Sequence, residues 1–96
     1  MLGLAFPAIS NLNHNPFFNT AIQQRAVSQS VFGFKLAQTG SELFLGGTNN
    51  KLFYGSIEFH SVNPNSGFWQ ATGARVKANR RTIASGFETV IDSGTT

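Results

Sequence analysis

Apolar and polar residues alternate with period two along most of the chain, and only one stretch repeats with a helical period. "SVFGFKLA" places Phe32, Phe34 and Leu36 on one side of an extended segment. "SELFLGG" does the same with Leu43 and Leu45, and "QTGS" between them is turn chemistry, so the pair predicts a hairpin. "LFYGSIEFHSV" resumes strand character, with Ile57 and Phe59 alternating against Ser56, Glu58 and His60. "NPNSG" is a loop of strong turn formers. "FWQATGARVKA" reads as a longer strand, "NRRT" reverses the chain, and "IASGFETVID" returns. The helical stretch is "NHNPFFNTAIQQRAV". Asn15 fits the cap, Pro16 the first helical position, and Phe17, Phe18, Ala21 and Ile22 one face. The opening residues predict a short apolar strand or turn ending at Pro7. The pattern as a whole is all-β with one short helix.

Composition changes this picture in one respect. Only 11% of the 96 residues are charged, while Phe and Gly each occur ten times. A chain of this length buries only ~60% of its unfolded surface. So much apolar material with so little to solubilise it suits an interior slice of a larger β protein. Cysteine is absent, which removes disulfides, thiolate zinc sites and cysteine nucleophiles. No apolar run approaches the ~20 residues of a membrane helix, so no membrane partner is expected. "MLGLAFPAIS" lacks a basic start and is broken by Gly3 and Pro7, unlike a signal peptide. The net charge of +3 is thin. Arg75, Lys77, Arg80 and Arg81 cluster, but a nucleic-acid surface carries a denser stripe, so the cluster reads as a solvated hairpin and no nucleic-acid partner is expected.

Few residues carry chemistry. His14 and His60 lie far apart in sequence, so no metal site is expected. Gly46, Gly47 and Lys51 fail the phosphate-loop spacing. Trp69 reads as packing rather than as a ligand platform. What remains is "TVIDSGTT" at the end of the chain. Asp92-Ser93-Gly94 taken alone is ordinary turn chemistry. It also fits a carboxylate delivered by a strand, with Val90 and Ile91 expected to anchor that strand in apolar core. A carboxylate used as acid or base needs its pKa tuned, and two carboxylates sharing one proton is the economical device. Glu42, Glu58 and Glu88 lie on strand or hairpin positions, so the second half of any such dyad would come from outside this chain.

Five segments in order carry a resemblance: "LGLAFP", "NPFFNTAIQQ", "ELFLGGTNNKLFYGSI", "GFWQ" and "VIDSGTT". Together they resemble the pepsin-like aspartic proteases, with secreted fungal members the nearest in look, and the resemblance covers essentially the whole chain. It implies a fragment of a bilobal β-barrel fold. Residues 1–55 would be the C-terminal part of the first lobe and residues 56–96 the start of the second, up to its catalytic loop. The implied activity is cleavage of proteins or peptides at acidic pH by water held between two aspartates. No metal or organic cofactor is implied, and the parent protein would be secreted.

Residue by residue, the resemblance makes Asp92 the second catalytic aspartate. Ser93 would join the hydrogen-bonded grip between the two lobes. Gly94 would admit substrate and donate its N–H toward the carboxylates. Thr95 would hydrogen-bond the carboxylate, and Thr96 would face the substrate cleft beside Gly94 and Thr95. Met1-Leu2-Gly3 resembles the hydrophobic-hydrophobic-glycine segment that packs behind the first lobe's catalytic loop. Arg25 departs from the pattern, standing where the family often ends its helix with Gly. The first Asp-Thr-Gly loop and the flap tyrosine have no counterpart here, so residues 1–96 alone are expected to be inactive and marginally stable. The alternative is a non-catalytic β module for protein interaction or self-assembly. A retroviral-type homodimer fits less well, because most of that fold follows its aspartate.

Overall fold

Turn chemistry sets the architecture. In the computed structural model, residues 2–11 and 13–95 are described. Two separate antiparallel hairpins form, each of two strands, and among the described residues no barrel closes. The chain divides into two compact units, residues 17–58 and residues 1–16 with 59–96.

In the unit of residues 17–58, the helix α1 runs Phe17–Gln23, starting one residue after Pro16. It ends in a Schellman motif. The Ala26 N–H donates to the Ala21 carbonyl at 2.9 Å and the Arg25 N–H to Ile22 at 3.0 Å. Arg25 occupies the left-handed position at φ +56°, where a side chain costs about 1 kcal/mol and glycine costs none. Of the expected helix face, Phe18 is buried while Phe17 stays half exposed. Phe18 meets Phe32 edge to face at 5.0 Å, and Phe32 meets Phe34 at 5.8 Å. The expected hairpin forms from β1 (Phe32–Lys35) and β2 (Glu42–Leu45), with Phe32 opposite Leu45 and Phe34 opposite Leu43. Ser41 closes its turn, accepting from the Ala37 N–H and donating to the Ala37 carbonyl. The "TNNK" turn forms around Asn49, whose side chain accepts from the Lys51 N–H at 3.1 Å.

The second unit is built on Trp69. Its indole N–H donates to the Leu4 carbonyl at 2.8 Å, and its ring receives Phe6 edge to face at 4.9 Å. The Phe6 N–H donates to the Gly67 carbonyl at 3.0 Å. The opening segment therefore forms a 3-10 turn, Pro7–Ile9, laid against residues 67–69. Gly67 is required twice over. Its φ is +80°, and a Cβ there would stand 2.5 Å from Ile9 Cγ2.

From Trp69 the chain enters β3 (Gln70–Ala78), turns at Asn79 and Arg80, and returns as β4 (Arg81–Val90). Both turn residues have positive φ, +49° and +65°, the requirement of a two-residue type I′ hairpin turn. Three register shifts interrupt the ladder. Gly73 and Gly86 have positive φ at two of them, the conformation a glycine bulge uses to bend and twist a strand.

Two expectations need correction. "LFYGSIEFHSV" forms no strand: residues 53–62 belong to no ladder among the described residues. Alternation makes a strand possible, but a strand exists only through its ladder. Val90 and Ile91 do not enter an apolar core, being 44% and 72% exposed, because no second layer among the described residues covers that face of the hairpin.

The packing at Gly67 and the strained helix end at Arg25 yield opposite expectations. Gly67→Ala should destabilise the protein by roughly 2–4 kcal/mol, from overpacking against Ile9 plus a left-handed alanine. Arg25→Gly should stabilise it by about 0.5–1 kcal/mol. Denaturant melts of the two variants beside the parent protein check both signs.

Candidate active-site loop

Asp92 is placed by the strand before it. The Ile91 N–H donates to the Trp69 carbonyl at 2.9 Å, one step beyond the Gln70–Val90 pair. Beside it, Gln70 Nε2 donates to Glu88 Oε2 at 2.8 Å. The last ordered rung of the hairpin therefore lies immediately before the aspartate.

The loop then folds back on the carboxylate. The Gly94 N–H donates to Asp92 Oδ1 at 2.8 Å, and Thr95 Oγ1 donates to Asp92 Oδ2. One donor is thus committed to each carboxylate oxygen, which fixes the plane of the group. Both bonds favour the ionised form. The Thr95 hydroxyl and then the Gly94 N–H hold the Asp92 carboxyl below its ordinary value near 3.8, against a small opposing contribution from desolvation. The carboxylate is exposed, so it can meet a solute or a second side chain without rearrangement of this loop.

The other residues of the motif differ in what they do. The Ser93 hydroxyl has no hydrogen bond among the described residues. Gly94 does not adopt a left-handed conformation, contrary to the usual reason for glycine in a turn, and a Cβ there would meet Asp92 Oδ1 at 3.5 Å, an ordinary contact. Among the described residues nothing therefore demands glycine at this position. Thr96 lies outside the described residues, as does Met1 of the Met1-Leu2-Gly3 segment. Leu2 is half exposed.

Sequence reasoning placed Trp69 in packing, and its half-buried ring and its Phe6 contact agree. What it missed is that the Trp69 backbone carbonyl also positions Asp92. The Gln70–Glu88 bridge was missed too, although an amide and a carboxylate on facing strands are a readable signal once the turn is located. Among the described residues no group of three or more His, Asp or Glu side chains could hold a metal ion.

Known proteins match this chain along its whole length. The family model of the eukaryotic aspartyl proteases matches residues 1–96. Cathepsin D of Bos taurus is 38% identical over 102 residues, covering 99% of this chain and 26% of that protein. Secreted aspartyl protease 1 of Malassezia globosa is 37% identical, covering 96% of this chain and 22% of its own length. An aspartic protease of Phaffia rhodozyma is also 37% identical, with 98% and 23% covered. The chain thus spans about a quarter of the length of these relatives.

The bonding of the carboxylate predicts a titration. Asp92 should titrate below its ordinary value near 3.8, and Thr95→Val should move its midpoint upward, leaving the Gly94 N–H as sole donor. Because the folded-state pKa is depressed, the loop's ordering is fully present above the unfolded value and is lost as pH falls through the folded one. Carboxyl-carbon NMR titration of both proteins reads the shift. An unmoved midpoint in Thr95→Val would show that the hydroxyl does not hold the carboxylate in solution.

Proposed function

The chain belongs to the eukaryotic aspartyl protease family, and from that premise we propose that it is the central part of an acid endopeptidase that cleaves proteins or peptides. The observation carrying the proposal is the Asp92 loop. It presents a carboxylate at the end of a paired strand, with one donor on each oxygen. In this reading Asp92 shares one proton with a second aspartate contributed from outside residues 1–96. The ionised carboxylate takes a proton from the water between them as the water oxygen bonds to the peptide carbon. The protonated carboxyl gives its proton to the carbonyl oxygen. Collapse of the tetrahedral intermediate breaks the C–N bond, with a proton delivered to the leaving nitrogen. Two carboxylates supply every proton transfer, so no metal or organic cofactor is needed.

The remaining roles follow on the same basis. Ser93, whose hydroxyl is uncommitted among the described residues, is the candidate for the grip between lobes. Gly94, Thr95 and Thr96 border the substrate. Residues 1–55 close the first lobe and residues 56–96 open the second; the stretch of residues 53–69, which lies in no helix or strand, supports a junction there. A fungal relative named as secreted, Malassezia globosa secreted aspartyl protease 1, supports secretion of the parent. A non-catalytic interaction module remains the second reading, favoured by large side chains left in solvent, such as Phe59 at 86% exposure.

The discriminating experiment compares variants in the full-length protein. Asp92→Asn keeps the shape of the group but cannot ionise, so acid peptidase turnover should fall by a factor of ~10²–10⁴ or more, with the melting temperature nearly unchanged. Ser93→Ala should keep partial activity and lose ~0.5–1.5 kcal/mol of stability. Residues 1–96 alone should show no cleavage sensitive to a pepsin-type inhibitor. Normal turnover in Asp92→Asn would remove the catalytic reading and leave the interaction module.

A further inference from the structure

The β3–β4 hairpin carries a feature that the proposed chemistry does not use. Four of the seven basic residues of the chain, Arg75, Lys77, Arg80 and Arg81, fall within seven positions, and no Asp or Glu occurs from Phe59 to Phe87. All four are exposed, and none forms an ion pair among the described residues.

The register sorts them. Arg75 pairs with Ser85 and Lys77 with Thr82. Directly paired residues share a face and alternate residues along a strand return to it, so Arg75, Lys77, Thr82 and Ser85 lie on one face of the hairpin. Val76 pairs with Ala84 on the other face. Arg80 sits in the turn and Arg81 opens β4 opposite Ala78. One face is thus basic and hydroxylated, about 7 Å separating Arg75 from Lys77 along the strand, and the type I′ turn holds Arg80 at its end.

We infer that this face and turn form a docking strip for a sulfated polysaccharide. A row of fixed cations interleaved with hydroxyl donors matches a row of sulfate half-esters in charge and hydrogen-bonding sense. No aromatic side chain lies between Ala71 and Phe87, so the strip offers no platform for stacking bases. The other face of the hairpin carries exposed Val76 and Phe87, so an anionic membrane surface is the rival that the vesicle arm of the test decides. The choice of sulfate over carboxylate rests on the acid endopeptidase reading. At acidic pH the carboxylates of a polypeptide, with pKa values near ~4, lose much of their charge, whereas sulfate esters keep theirs.

The test uses the full-length protein at pH 4 and pH 7, with heparin as the probe. Duplex DNA, phosphatidylserine vesicles and polyglutamate serve as competitors. Heparin should bind at both pH values, more weakly as salt rises, and polyglutamate should bind much more weakly at pH 4, where about two thirds of its carboxyls are protonated. Arg75→Gln, Lys77→Gln and Arg80→Gln combined should weaken heparin binding at least tenfold with the melting temperature and peptidase rate unchanged. Lys77→Gln alone, at an exposed site, should weaken it measurably if the triple variant fails to fold. Arg25→Gln, outside the strip, should leave it unaltered. Equal heparin binding by parent and strip variants overturns the inference. So does tighter binding of DNA, vesicles or polyglutamate at pH 4, or no heparin binding at all. Peptidase activity is read separately, so loss of the catalytic reading and loss of the strip are distinguishable.

Discussion

Trp69 ties together the parts of its unit that are distant in sequence. Its indole N–H reaches a carbonyl 65 residues earlier, at Leu4, and its ring packs on Phe6. Its own carbonyl accepts from Ile91, next to the aspartate. A half-buried indole N–H without an acceptor costs about as much as a lost hydrogen bond, so the opening segment is held to one position. Gly67 then lets Ile9 approach the backbone where any side chain would intrude. Trp69 therefore fixes both the segment around Leu4 and the rung from which Asp92 is delivered. The Asp92 loop inherits its position from packing some distance away.

Elsewhere the chain tolerates local strain where topology demands it. Arg25 and Arg80 both hold positive φ without being glycine, one to stop a helix and one to reverse a hairpin. Each costs about 1 kcal/mol against glycine, a large fraction of a net stability of ~5–15 kcal/mol even for a complete domain. Phe18 is the only large apolar side chain buried among the described residues, so the packing within residues 1–96 offers little to offset that cost. The exposed apolar positions of the β3–β4 hairpin, Val76, Phe87 and Val90 among them, are consistent with a segment spanning about a quarter of its relatives' length.

Local pattern made the hairpins readable, and pairing decided what was not. Both turns could be located because Gly, Asn and Ser have distinct backbone reasons to be there. The β1–β2 register followed from Phe32 and Phe34 facing Leu45 and Leu43. The helix was legible from Phe17 to Ile22, and its end at Arg25 was anticipated only through resemblance, since nothing in arginine's own propensity predicts a left-handed cap. Residues 53–62 show the limit. Their alternation is genuine, but a ladder partner is a property of another segment and leaves no mark in the strand itself. Trp69 shows the same limit for the site: its need for an acceptor is visible in the residue, whereas Leu4 as the supplier is not. The Asp92 loop was the most legible part, because its hydrogen bonds close within three residues.

Those short-range bonds also constrain how Asp92 can act with a partner. The Thr95 hydroxyl and Gly94 N–H stabilise the negative charge on Asp92 and lower its pKa. A second carboxylate brought close would oppose this, because two like charges at short range cannot both persist. Such a pair would resolve the conflict by holding one proton between them. The donors on Asp92 then influence which member carries the charge: each bond they keep favours ionised Asp92 and a protonated partner, unless the partner has equal donors of its own. Under the proposed chemistry, the ionised member takes the proton of the attacking water and the protonated member supplies the carbonyl oxygen. A hydroxyl and a backbone N–H, placed by three residues of sequence, would therefore help to decide which aspartate serves as base and which as acid.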